Sequence, residues 1–97
     1  MSRKLKIAVV GATGAVGEAM LSILAEYGFQ DADVHALASE KSLGKAVDFG
    51  HRNLPVEVLD DYDFSGTDYG LFSAGAGISL QHAPRAAEAG CTVIDNT

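Results

Sequence analysis

The sequence predicts an α/β fold: a doubly wound, mostly parallel sheet with one inserted β-hairpin. Three observations predict it. Apolar and helical patterns follow the order strand, helix, strand, hairpin, strand, helix, strand, and such alternation builds parallel sheets through crossovers. The first strand segment is nearly continuous in apolar character, as a strand buried on both faces is. The first strand runs straight into a glycine-rich turn that opens a helix. A chain of 97 residues, 47% of them hydrophobic, suits one domain with one core.

Leu5 to Val10 is the first expected strand, short and β-branched. A helical pattern follows, in which Val16, Ala19, Met20, Ile23, Leu24 and Tyr27 fall on one face. Gly28 is its expected stop. Asp33 to Ala38 is the second strand, and Ser39 to Gly44 a polar loop. Ala46–Phe49 and Leu54–Val58 flank Gly50-His51-Arg52-Asn53 and read as a hairpin. Asp60 to Asp63 is an acidic, solvated connector. Tyr69 to Ser73 is a further buried strand, ended by Ala74-Gly75-Ala76-Gly77. Residues 79–89 are alanine-rich and helical in pattern, closed by Gly90, and Thr92 to Asp95 is the last strand. If Ser79 is the N-cap of that helix, Pro84 lies beyond its first turn, and a distorted first turn is expected.

Composition excludes several classes. Seven Lys and Arg against 13 Asp and Glu give a net charge of −6, the wrong sign for a general nucleic-acid binder or for anionic membrane surfaces. The longest apolar run, Ile7 to Val10, is far short of the roughly 20 residues of a membrane span. No signal-peptide core follows the basic start Met1-Ser2-Arg3-Lys4, so a cytoplasmic protein is expected. The single Cys91 rules out an internal disulfide and any multi-cysteine metal site. It has no adjacent His and precedes a buried strand, so it reads as a packing residue. His35, His51 and His82 lie in different expected elements and read as structural or solvent-exposed; no metal site is expected.

The turn Gly11-Ala12-Thr13-Gly14-Ala15-Val16-Gly17 has the spacing G-x-x-G-x-x-G between a strand and a helix. Gly11 allows the tight exit from the strand, Gly14 a close approach of backbone to a pyrophosphate, and Gly17 close packing of helix on sheet. The free N–H groups of the first helical turn and the positive end of the helix dipole then face the phosphates, with no basic side chain required. The alternative is glycine used for turn geometry alone. In this context the turn marks a Rossmann-like dinucleotide site. Ser39, 22 residues after Gly17, opens Ser39-Glu40-Lys41-Ser42. Two hydroxyls and an ammonium suit the 2′-phosphate of NADP. Glu40 argues the other way, since a carboxylate there can take the ribose diol of NAD, and a plain solvated loop is the third reading. Ser73-Ala74-Gly75-Ala76-Gly77 allows close backbone approach to a cofactor, or is a flexible connection.

Taken with Leu37–Lys45, Leu71–Gly75 and Val93-Ile94-Asp95-Asn96-Thr97, the segment Ile7–Gly17 resembles the N-terminal portion of the aspartate-semialdehyde dehydrogenase family. The resemblance spans essentially the whole chain. It implies an NADP-dependent oxidoreductase of the pathway to lysine, threonine and methionine, which reductively dephosphorylates aspartyl phosphate to aspartate semialdehyde. It implies that the backbone of Thr13, Gly14, Ala15 and Val16 holds the pyrophosphate, and that Ser39, Lys41 and Ser42 hold the 2′-phosphate, where many members have Arg in place of Lys41. It places Ser73, Ala74 and Gly75 along the cofactor groove and Asn96 near the nicotinamide end.

The family's nucleophilic cysteine, catalytic histidine and substrate-binding arginines lie after the Asp-Asn-Thr motif. The expectation is therefore a cofactor-binding domain over residues 1–97, inactive alone and with no catalytic residue of its own. The same expectation puts the catalytic domain, through which the resemblance implies a homodimer, outside these residues. Two alternatives remain: a relative of N-acetyl-γ-glutamyl-phosphate reductase, which Ser39-Glu40-Lys41-Ser42 and Asp95-Asn96-Thr97 disfavour, and a stand-alone dinucleotide-binding module.

Overall fold

In the computed structural model, which describes residues 4–96, six strands and two helices follow the expected order. Met1 to Arg3, most of the basic start, and Thr97 of the Asp-Asn-Thr motif lie outside the described residues. The strands are β1 (Lys6–Val10), β2 (Asp33–Ala38), β3 (Ala46–Phe49), β4 (Arg52–Val58), β5 (Tyr69–Phe72) and β6 (Thr92–Asp95). The helices are α1 (Ala15–Glu26) and α2 (Ala76–Glu88). The sheet order is β3-β4-β2-β1-β5-β6. All pairs are parallel except β3 with β4.

The β3–β4 hairpin is tighter than expected. Phe49 pairs with Arg52, so the turn is Gly50-His51 alone, and β4 starts at Arg52 rather than Leu54. Gly50 has φ +62°, which suits the two-residue hairpin turn.

Each face of the sheet has its own core. On one, Leu21 of α1 packs with Ile7, Val9, Ala36, Phe49 and Val56. On the other, Ala86 of α2 packs with Ala8, Val10, Leu37, Phe64 and Phe72. The Phe64 and Phe72 rings stack with centroids 6.1 Å apart. Full burial of such a side chain stabilises by about 1.5–3 kcal/mol.

Two expectations about the helices are corrected. On α1 the buried residues are Gly17 and Leu21, supported by Met20, Leu24 and Ala25. Val16, Ile23 and Tyr27 are 47%, 52% and 75% exposed. The seam follows Gly17, whose missing side chain permits the closest approach to the strand end. On α2 the N-cap is Gly75, not Ser79. Ser79 is buried one turn in, and its hydroxyl donates to Asp95 Oδ1 at 3.2 Å. The early start places Pro84 deep inside a helix that runs on to Glu88, so its first turn is regular.

Candidate functional site

The topology gathers several strand ends at one place. β1 lies between β2 and β5, and the chain leaves it toward opposite sides of the sheet, which makes the β1–β5 boundary a topological switch point. There the carboxyl ends are tied together. Gly11 and Ala12 N–H donate to Leu37 O at 2.9 and 3.2 Å. Ser73 donates twice to Val10 O, from its N–H at 3.0 Å and from its hydroxyl at 2.9 Å. A cleft of about 470 Å³ opens above these ends.

The three glycines of the turn do different work. Gly11 has φ +86°, and a Cβ on it would sit 2.9 Å from Ala74 Cβ and 3.0 Å from Ala74 N. That contact is what lets the turn and the loop after β5 share one cleft. A Cβ on Gly17 would lie 2.2 Å from Gly11 O and 2.8 Å from Ala12 Cα, so α1 could not dock. A Cβ on Gly14 would meet only Gly11 O, at 3.5 Å, an ordinary contact. The bare backbone at Gly14 is therefore not required by the chain's own packing.

Gly14 N–H is already bonded to Gly11 O at 3.0 Å, and the first intrahelical donor of α1 is Glu18 N–H, to Gly14 O. The N–H groups of Ala15, Val16 and Gly17 come before that donor, and no side chain caps them. With the helix dipole they form an anion cradle. No Lys or Arg lines the cleft, so the cradle is what would hold a pyrophosphate, and the residues fit that group.

Of the residues picked out from sequence, Gly11, Thr13, Gly14, Ser39, Ser73 and Ala74 line this cleft. Ala15, Val16 and Gly17 form the turn of α1 that opens beside it, and Gly75 caps α2 next to Ala74. Ser39 also caps a single 3₁₀ turn, Glu40–Ser42, which carries Lys41 and Ser42 just beyond the lining. Lys41 is exposed and Ser42 half-buried. Asn96 lies apart from the lining, exposed, extending the ladder by donating its N–H to Phe72 O at 2.9 Å.

The lining is completed by Ala38 at the end of β2 and by Leu59, Asp60, Ile78, Gln81 and His82, the last five of which sequence reasoning missed. The Leu59–Asp61 segment forms a 3₁₀ turn at the end of β4, so Asp60 belongs to the cleft rather than to a mere connector. His82 is buried at 4% exposure, and burial first, then the Arg85 charge, hold it below the ordinary histidine range against the pull of Asp60. Ile78, Gln81 and His82 stand at i, i+3 and i+4, one face of α2. That spacing would have marked them had the helix been started at Ala76.

Cys91 packs in the α2-side core at 5% exposure, its thiol 3.7 Å from Thr92 O. Burial, aided by the Asp68 charge, pushes the thiol up from its ordinary value. His35 is half-buried with Nδ1 2.6 Å from Glu57 Oε2. Among the described residues no group of three or more His, Cys, Asp or Glu is placed to hold a metal, and no helix is long and apolar enough to cross a membrane.

Comparison with known proteins agrees with this geometry. Residues 6–97 match the family described as "Semialdehyde dehydrogenase, NAD binding domain". An aspartate-semialdehyde dehydrogenase of Legionella pneumophila is 50% identical over all 97 residues, which cover 28% of that protein. A USG-1 protein homolog of Pseudomonas aeruginosa is 46% identical over 98% of this chain and 28% of its own length. Among solved structures, aspartate semialdehyde dehydrogenase II of Vibrio cholerae, complexed with ASA, superposes with a TM-score of 0.91 at 45% identity, over 98% of this chain and 31% of that one. The chain thus spans less than a third of the length of the relatives it matches.

Proposed function

From the premise that the chain belongs to the semialdehyde dehydrogenase NAD-binding domain family, we propose that residues 1–97 are the NADP-binding domain of an aspartate-semialdehyde dehydrogenase. The complete enzyme reductively dephosphorylates aspartyl phosphate to aspartate semialdehyde, in the cytoplasm, as a homodimer formed through segments after residue 97. One observation carries the reading: the uncapped first turn of α1 opens on the cleft at the switch point, where Gly17 and Gly11 leave no room for a Cβ.

NADP, when bound, supplies or accepts the hydride. The chain's own residues bind and orient it. The N–H groups of Ala15, Val16 and Gly17 take the pyrophosphate, with Thr13 and Gly14 at its edge. Ser39, Lys41 and Ser42 take the 2′-phosphate, and Ser73, Ala74 and Gly75 border the groove toward Asn96. The nucleophile, the acid/base group and the substrate-binding arginines belong to segments after residue 97. Cys91 does not serve as the nucleophile, because burial keeps its thiol protonated and covered.

Calorimetric titration with NADP and NAD tests the proposal. NADP is expected to bind more tightly. Lys41→Ala should weaken NADP about tenfold and leave NAD nearly unchanged, because hydrogen bonds to a charged group are worth about 1.5–3 kcal/mol before screening by solvent. Equal losses for the two cofactors would remove the 2′-phosphate role, and a preference for NAD would make Glu40 the ribose ligand.

A further inference from the structure

The segment 59–62, whose Leu59 and Asp60 form one wall of the cleft, is fastened to α2 by one small network. Arg85 Nη2 donates to Leu59 O and Nη1 to Tyr62 O, both at 2.7 Å. Its Nε donates to His82 Nδ1 at 3.0 Å, and the guanidinium lies 4.9 Å from the centroid of the Phe64 ring. His82 Nε2 is 3.3 Å from Asp60 Oδ1. Since Nδ1 accepts from Arg85, the neutral ring carries its proton on Nε2 and gives it to Asp60. The connection is thus held by both Leu59 and Tyr62 carbonyls and by the Asp60 carboxylate.

We infer that Arg85 and neutral His82 are positioning residues for the dinucleotide cleft, holding the Leu59–Tyr62 wall against α2 and releasing it when His82 takes up a proton. The inference rests on the dinucleotide reading above. A protonated ring carries an N–H on Nδ1. That hydrogen faces the Nε–H of Arg85, donor against donor, and puts two cations in contact. Arg85 must then turn away, and the Leu59 and Tyr62 carbonyls lose their donors. Asp60 opposes this, but its side chain is 76% exposed and its field is weakened by water. The charged groups acting on the ring are Asp60 from the β4–β5 connection and Arg85 from α2 itself. Tyr62, on the same connection, is raised above the ordinary phenol range, chiefly by burial, and stays neutral.

The test is NADP titration of the chain by calorimetry at pH 8, 6.5 and 5, beside His82→Asn. Asparagine keeps an acceptor for Arg85 near the position of Nδ1 and cannot take the proton. The titration of the 2′-phosphate itself cancels in the ratio of the two proteins. The parent should lose about threefold in affinity relative to His82→Asn by pH 5, the direction set by a group that binds protons less readily in the closed wall. Arg85→Lys, which cannot reach both carbonyls and the ring together, should weaken binding about tenfold already at pH 8 with the circular dichroism of the parent. Hydrogen exchange on the parent gives a readout free of variants: at pH 5 the amides of residues 59–62 should lose protection before those of β1 and β5. A parent-to-variant ratio constant in pH, Arg85→Lys binding like the parent, or uniform exchange would overturn the inference alone. Failure of the parent to bind either dinucleotide at pH 8 would overturn the dinucleotide reading and this inference with it.

Discussion

Gly11, Gly14 and Gly17 share a spacing but not a role, and their chemistry was only partly legible in the sequence. The close packing at Gly17 followed from the pattern, because a helix leaving a strand end must pass near the turn. That Gly14 N–H is already bonded did not, since it depends on the shape of the turn. Cys91 was read as a packing residue and His82 as structural or solvent-exposed, and both are buried. Their shifts oppose one another because desolvation penalises whichever form is charged, the imidazolium in one and the thiolate in the other. For Cys91 the consequence can be measured. At pH 8 its alkylation by iodoacetamide in the folded chain should be at least about tenfold slower than in urea, followed by mass spectrometry. Similar rates in the two states would place the thiol at the surface.

Among the elements, β1 was the most legible, since a short β-branched run buried on both faces leaves little choice. The helices were less so. The face of α1 was misjudged because Val16, Ile23 and Tyr27 continue an apolar 3.6-residue pattern, while the residues that are buried are Gly17 and Leu21. Close approach, set by a glycine, outweighed that pattern. The start of α2 was misjudged because Ser79 is a good capping residue, while its hydroxyl bonds Asp95 across the fold instead. Pro84 is therefore an interior helix proline, exposed and outside the cleft. Its ring removes one backbone donor and crowds the preceding turn. Pro84→Ala should raise stability by about 1–2 kcal/mol, the helix gain of about 3 kcal/mol being partly offset by a freer unfolded chain and by relaxation already present. Thermal unfolding checks this. An unchanged or lower midpoint would mean that the proline is accommodated without cost.

At the scale of the molecule, a net charge of −6 and an anionic cofactor are reconciled by using backbone rather than side chains. The order of strands brings the ends of β1, β2, β4 and β5 to one cleft, with a helix from each half closing it. The glycine turn and Ser39 were legible because they follow β1 and β2 directly. The Leu59–Asp60 wall was not, because Asp60 to Asp63 read as a solvated connector. β4 joins the main sheet beside β2, with Ala36 to Ala38 paired to Val56 to Val58, and so delivers that connector to the cleft. The central claim is that the backbone at the turn, bare at Gly14, holds a dinucleotide pyrophosphate. It is tested most directly by titrating the parent chain and Gly14→Val with NADP by calorimetry, with thermal unfolding of both alongside. A Cβ at Gly14 meets only one ordinary contact within the chain, so the variant should unfold near the parent's midpoint. The added side chain would occupy the space of the pyrophosphate, so binding should fall below detection while the parent binds one equivalent. Gly14→Val binding NADP as the parent does would contradict the account.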